Sequence, residues 1–334
     1  MECPWCGAYN TEGAAFCDLC LRSFTEESSK AAPDAEAPKD SAPPRIDVGQ
    51  PLPPGADKPA SAGNPKRKWI YVSAGIVLVL VVAGVLGYVF LTGGHRNSNP
   101  KKLSVLFLGN SYTSVNDLPT TVSRIAQSLG NTLDFDSATP GGYTLQQHAG
   151  DQNTISKIAS KMWNAVVFQE QSQVPAVYTE TQKAQLIVPY AQMLNSMIHQ
   201  ANPAATTVLY ETWGRQNGDS QFASKVPEVG TYAGDQARIN ATYEQLAASL
   251  PATLAPVGKA WALVRQTHPD IQLYQGDGSH PSAAGTYLAA CVIYDTLFND
   301  RVNGATALNL DPAQAKILQE AADQTVSPPA SQSR

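Results

Sequence analysis

The larger, C-terminal part of this chain predicts an α/β domain: three layers, α/β/α, around a mostly parallel five-stranded sheet. Two observations predict it. Short apolar or β-branched runs recur at 103–109, 132–138, 164–169, 205–211 and 253–257, each long enough for one buried strand. Helix-period segments lie between them, and strands separated by helices are joined by crossovers, which gives parallel strands with both sheet faces covered. A third feature bears on chemistry. Several of the runs end in small polar turns, and the ends of parallel strands are where open α/β sheets carry their sites.

In chain order, the first strand reads LSVLFL, Leu103 to Leu108, and runs into Gly109-Asn110-Ser111-Tyr112-Thr113. A helix is expected over 117–129. The second strand, 132–138, ends at Thr139-Pro140-Gly141-Gly142-Tyr143-Thr144, and a helix follows over 152–162. The third strand carries AVVF and ends at Gln169-Glu170-Gln171-Ser172. A helix over 181–200 leads to the fourth strand, which is followed by Glu211-Thr212-Trp213-Gly214-Arg215. Helices are expected over 233–249, 259–267 and 283–298. The turn Asp277-Gly278-Ser279-His280-Pro281 precedes the last of these. A final helix from Asp311 to about Val326 opens on Asp-Pro, a favourable helix entry. This domain is expected to span 97–326, with a disordered tail at 327–334.

The remainder of the 334 residues differs in composition. Net charge is −5, charged residues are 15%, and no long basic stripe occurs, which argues against nucleic acid as a partner of the large domain. Residues 1–24 hold four of the five cysteines, as Cys3-x-x-Cys6 and Cys17-x-x-Cys20. Four thiolates at this spacing can close a tetrahedral structural zinc site, and a module this short would take most of its folding energy from the metal. Two disulfides in an exported segment are the other reading. Such a zinc would have no open position for catalysis. The sequence of this module resembles the zinc ribbons found at the N-termini of many prokaryotic membrane proteins. The fifth cysteine, Cys291, sits in an apolar helical run and reads as core.

Residues 25–68 are rich in Pro, Ala, Ser, Asp and Lys and read as a disordered linker. Residues 69–91, WIYVSAGIVLVLVVAGVLGYVFL, carry no charge. As a helix at about 1.5 Å per residue they cross a hydrocarbon core of about 30 Å, with aromatics near both ends. Lys66-Arg67-Lys68 places the N-terminus in the cytoplasm by the positive-inside rule, so the large domain is expected outside the cell membrane. A cytoplasmic protein partner for the zinc ribbon is an open expectation.

The chemistry-bearing residues are a serine at a strand end and a later Asp-x-x-His. A serine hydroxyl needs an adjacent base to act as a nucleophile. Among five histidines only His280 has a carboxylate, Asp277, three residues before it in a glycine-bearing loop. Such an Asp can orient the imidazole and support its charged form. His148, after the glycine turn, takes a secondary place. Oxyanion donors are expected from the backbone N–H of Ser111, from the glycine turn after the second strand, and from a glutamine side-chain amide after the third. Asn110, Gln171, Trp213 and Arg215 are candidate substrate contacts. Trp213 packed under a loop and Arg215 in solvent are the bland readings.

These pieces, in this order at successive strand ends, resemble the SGNH hydrolases, the GDSL-like esterases and lipases, over about 103–300. The resemblance implies a flavodoxin-like sheet, Ser111 as nucleophile with Asp277 and His280, and an oxyanion glycine at Gly142 in Gly142-Tyr143-Thr144. It implies a carboxylic ester substrate, such as an O-acetyl group on carbohydrate, and no cofactor for catalysis. Two positions depart from the pattern. Asn110 stands where the family has Asp, and Gln169-Glu170-Gln171-Ser172 replaces its Gly-x-Asn-Asp; the resemblance to acetylesterase relatives with a glutamine after the third strand implies Gln169 as the third oxyanion donor, with Gln171 as its substitute. The altered third block leaves a second reading open: an inactive relative that binds a glycan or a protein, with the zinc ribbon as a cytoplasmic adaptor.

Overall fold

The computed structural model describes residues 99–326. The cysteine module, the linker, the apolar segment 69–91 and the tail lie outside the described residues. Among the described residues no helix is long and apolar enough to cross a membrane.

Five strands form one sheet: β1 Lys102–Leu108, β2 Thr132–Ala138, β3 Ala165–Phe168, β4 Thr206–Tyr210 and β5 Ala252–Ala255. Their order is β2-β1-β3-β4-β5, and each neighbouring pair is parallel. The chain steps from β1 to one side, then crosses back to build the other. A doubly wound sheet of this kind opens a crevice beyond the C-terminal ends of the strands where the order reverses, here between β1 and β3.

Val105–Leu108 of β1 and all of β3 are apolar and buried, because both faces of the sheet are covered there. Along β1, Val105 and Phe107 enter one core and Leu106 and Leu108 the other, the two-residue period of a pleated strand. The first layer holds α2 Leu118–Ser128, α9 Val257–Thr267, α10 Ala283–Phe298 and α11 Pro312–Thr325. The second holds α3 Leu145–Gly150, α4 Gln152–Ala159, α7 Val188–Ala201 and α8 Tyr232–Ser249. Helix α10 has almost no polar face, and it is buried along most of its length between α2, α9 and α11. Cys291 lies there, fully buried, as its setting predicts.

The helix expected over 181–200 is two: α6 Glu180–Leu186 and α7, with Ile187 between them. The cause is Pro189. It has no N–H to donate, and its ring would clash with the carbonyl four residues back, so it stands in the first turn of a new helix. Three short α-helices, α1 Ser111–Ser114, α3 and α5 Val174–Val177, and a 3₁₀ turn at Pro227–Gly230 lie outside the expected helices. Each is too brief for a 3.6-residue period to register.

Candidate active site

The site forms where the loops after β1, β2 and β3 meet the turn before α10. β1 delivers Gly109-Asn110-Ser111 to the crevice. Asn110 caps α1: its Oδ1 accepts from the Tyr112 N–H at 3.1 Å, and its Nδ2 donates to the Tyr143 carbonyl at 3.0 Å. Asn110 therefore ties the β1 turn to the β2 turn with both ends of its amide. Ser111 is the first residue of α1, where backbone N–H groups have no partner within the helix.

The Ser111 Oγ lies 2.9 Å from His280 Nε2, and His280 Nδ1 lies 2.5 Å from Asp277 Oδ2. A carboxylate only accepts, so Nδ1 carries the proton and Nε2 presents its lone pair to the serine O–H. The other Asp277 oxygen accepts from the backbone N–H groups of Ser279 and His280, at 2.9 and 3.0 Å. Partial burial pushes the Asp277 carboxyl up. The bonds from the His280 ring and these two amides outweigh it and hold the carboxyl below its ordinary range. Gly278 makes the turn possible by taking φ +66°, a left-handed conformation that costs glycine nothing.

The turn is anchored through Ser279. Its Oγ is 2.7 Å from the Tyr112 hydroxyl, and its carbonyl accepts from Trp213 Nε1 at 3.0 Å. Tyr112 stacks on Trp213 at 4.7 Å, and Trp213 stacks on Trp261 at 3.8 Å. This aromatic column, 3% exposed or less at each ring, forms the floor of the site. Next to it, Asn116 Nδ2 donates to the Pro281 carbonyl at 3.0 Å and to Thr286 Oγ1 at 2.9 Å. Sequence reasoning missed these supports, because no motif marks Tyr112, Ser279 or Asn116.

At the end of β2, Gly142 takes φ +72°, and Thr144 caps α3 in a reciprocal capping box with Gln147. The threonine of Gly-x-Thr thus starts a helix and fixes the glycine turn in place.

Several candidate residues sit otherwise than expected. Gln169 is fully buried, and its amide is tied to the fold through its oxygen and one N–H. That nitrogen donates to the Glu170 carbonyl at 2.5 Å, while its oxygen accepts from the Asn110 N–H at 3.2 Å and from Thr113 Oγ1 at 3.1 Å. The fully buried amide braces the β1 turn. Gln171 turns its oxygen to the Gln173 and Val174 N–H groups, at 2.7 and 3.2 Å, and its Nε2 donates to Gln173 Oε1 at 3.3 Å, so its amide serves the loop before α5. Trp213 is buried in the column and presents no face to solvent. Arg215 is half-buried and pairs with Asp219 at 3.1 Å. It lines a cleft of about 300 Å³ beside Asp277 and Gly278, together with Gln216, Asn217 and Gln221. His148 does not meet the Ser111 hydroxyl; its two ring nitrogens are bonded to the Gly109 carbonyl and to Thr154.

Glu170 is fully buried. One carboxyl oxygen accepts from the Leu145 and Gln171 N–H groups, at 3.1 and 2.6 Å, and the other has no partner among the described residues. Burial pushes its carboxyl up to about 8, against the pull of the two amides. Through those two amides its carboxyl holds α3 to the β3 loop.

No family model matches the chain, and no curated protein matches it. Solved structures do. A protein from Slackia heliotrinireducens, described as a candidate SGNH hydrolase, is 29% identical with a TM-score of 0.48, over 60% of this chain and 100% of that one. A carbohydrate esterase of family 3 from Talaromyces cellulolyticus is 16% identical with a TM-score of 0.45, over 59% and 97%. A DUF4886 family protein from Bacteroides uniformis is 17% identical with a TM-score of 0.58, over 67% of this chain and 94% of that one. The likeness to the Bacteroides protein is one of fold. The five-stranded parallel sheet, with helices on both faces and the serine turn at the switch point, is a doubly wound α/β fold of the kind the Bacteroides protein shares.

Proposed function

We propose that this chain is a membrane-anchored serine ester hydrolase. The observation that carries the reading is the continuous array Ser111 Oγ–His280 Nε2, 2.9 Å, and His280 Nδ1–Asp277 Oδ2, 2.5 Å. Ser111 attacks the ester carbonyl while His280 takes its proton. Asp277 keeps the imidazole in the accepting tautomer and supports the imidazolium that forms. The backbone N–H groups of Ser111 and Gly142 receive the oxyanion. His280 then gives its proton to the leaving alcohol, and water, activated by His280, releases the acid from the acyl-serine.

With the Gln169 oxygen and one of its N–H groups bonded within the fold, this reading rests the oxyanion on backbone donors. The polar cleft beside Asp277 suits an alcohol partner rich in hydroxyls, and the apolar segment 69–91 would hold the domain outside the membrane. Both support an O-acetylated glycan as substrate. In the same reading the four N-terminal cysteines hold a structural zinc on the cytoplasmic side. An array this complete supports hydrolysis over the binding-module alternative, since a passive cleft needs no base aligned on its serine.

The test is hydrolysis of p-nitrophenyl acetate by the full-length protein in detergent, with Ser111→Ala as control. Activity that falls by about 10³-fold or more in the variant is expected. Equal rates for the two proteins overturn the reading.

A further inference from the structure

We propose that His148 is a positioning residue for the Ser111 reaction: with Gln169 it grips the Gly109–Asn110 peptide and so aims the backbone N–H of Ser111. This rests on the reading of Ser111 as nucleophile.

The peptide joining Gly109 to Asn110 is held at both edges. Its carbonyl accepts from His148 Nε2 at 2.8 Å, and its N–H donates to Gln169 Oε1 at 3.2 Å. A trans peptide points these two groups in opposite directions, so bonds at both edges resist rotation of its plane. The partners come from different loops, His148 from α3 and Gln169 from the end of β3. The next peptide, Asn110 to Ser111, has its carbonyl engaged by the Thr113 and Ser114 N–H groups, at 2.9 and 3.0 Å. Its remaining polar group is the Ser111 N–H, the proposed oxyanion donor. Tilting the first peptide would swing this donor away from the oxygen it should meet. A donor held before the reaction costs no reorganisation during it.

His148 is built for this contact. It is fully buried, where a polar ring is costly unless its nitrogens are bonded. A backbone carbonyl only accepts, so Nε2 carries a proton. Nδ1 lies 3.0 Å from Thr154 Oγ1, which is 2.9 Å from Asp151 Oδ2. Thr154 and Asp151 open α4, so the start of one helix orients a histidine on the helix before it. The Tyr143 ring, 5.2 Å away edge-on, closes the remaining side, and the Tyr143 carbonyl holds Asn110. Gly109 cannot carry a side chain in this setting: a Cβ would lie 2.4 Å from Thr113 Oγ1 and 2.8 Å from Gln169 Oε1.

Two variants of the full-length protein separate positioning from packing. His148→Gln keeps a donor at the reach of Nε2, and His148→Leu fills similar space without one. With p-nitrophenyl acetate, the Leu variant should lose about tenfold or more in kcat with KM nearly unchanged. The Gln variant should recover most of the loss. Amide hydrogen exchange gives a readout that needs no turnover: the Asn110 amide should exchange faster in His148→Leu and near the native rate in His148→Gln. A folded Leu variant with native kcat and native exchange overturns the proposal, as does a Gln variant as impaired as the Leu one. If the wild-type protein shows no Ser111-dependent turnover, the esterase reading fails, and the exchange rates alone then decide whether His148 holds the turn.

Discussion

The hydroxyl of Tyr112 lies 2.7 Å from the hydroxyl of Ser279. The residue after Ser111 is thus bonded to the residue before His280, across 167 positions of sequence. Both partners are buried, so the bond forms out of water and sets the spacing between the β1 turn and the α10 turn. The 2.9 Å contact between Ser111 and His280 is the outcome of that spacing and of the Trp213 bond to the Ser279 carbonyl.

Removing this one hydroxyl should therefore act on rate more than on fold. Tyr112→Phe keeps the stack on Trp213 and leaves Ser279 Oγ unpaired. A stability loss of about 1 kcal/mol is expected in urea unfolding, with kcat on an aryl acetate reduced by several-fold. Native kcat would show that the spacing is set elsewhere.

Asp277→Asn should leave the turn folded and the reaction nearly abolished. Its oxygen can still accept from the Ser279 and His280 amides, but its NH₂ would face Nδ1 and favour the tautomer with the proton on Nε2. That nitrogen could then no longer accept from Ser111. A kcat loss of about 10⁴-fold is expected, with a melting temperature near that of the wild type. A loss below about tenfold would mean that Asp277 does not set the tautomer.

Glu170 makes stability depend on pH in a stated direction. Its folded carboxyl titrates at about 8 and its unfolded one at the ordinary 4.5. Below the lower value both states are protonated and the contribution is fully present. As pH rises towards 8 the unfolded chain loses its proton first, so stability falls across this window. Glu170→Gln has no proton to lose and can still accept from Leu145 and Gln171. Relative to wild type it should gain about 1 kcal/mol or more between pH 5 and pH 8 in denaturant titrations. Parallel curves for the two proteins would refute this. Glu211 and Asp295, buried and raised to about 8 and about 9, slope the same way and remain in both proteins.

Gly109→Ala should be among the most damaging single-methyl changes in the domain. The added carbon would meet Thr113 Oγ1 and Gln169 Oε1, which are themselves bonded to each other and to the turn. Overpacking of this kind costs about 1–3 kcal/mol. Activity should fall further than that loss of folded population accounts for, because the shift lands on the peptide before Ser111. Wild-type activity in the variant would show that the turn can yield.

The reach of the sequence can be judged element by element. The strands were legible because β1, β3 and β4 are covered on both faces along most of their length, so each carries a short apolar or β-branched run. Ser111, Asp277 and His280 were legible because an Asp three residues before a His in a glycine turn is a local pattern. Gly142 was marked by its resemblance to a Gly-x-Thr block, and it takes a left-handed backbone, φ +72°. The role of Gln169 was not legible. Its residue type allowed a donor, and only the positions of Asn110, Thr113 and the Glu170 carbonyl showed that its oxygen and one N–H are bonded within the fold. Trp213 was placed at the right edge of the sheet, and the sequence left it between touching substrate and packing under a loop; it is buried.

What the sequence by itself determined is the order of the parts: an alternation that builds a parallel sheet, a serine after its first strand, and a base with its orienter before a late helix. These follow from local periodicity and turn chemistry, which act over a few residues. The tertiary structure decided which polar atoms are left free to act. Tyr112 meets Ser279, His148 meets the Gly109 carbonyl and Glu170 meets the start of α3, and each of these bonds joins segments far apart in the chain. A buried polar group must find a partner, and the identity of that partner is set by how helices and loops pack over the sheet, which no local stretch of residues encodes.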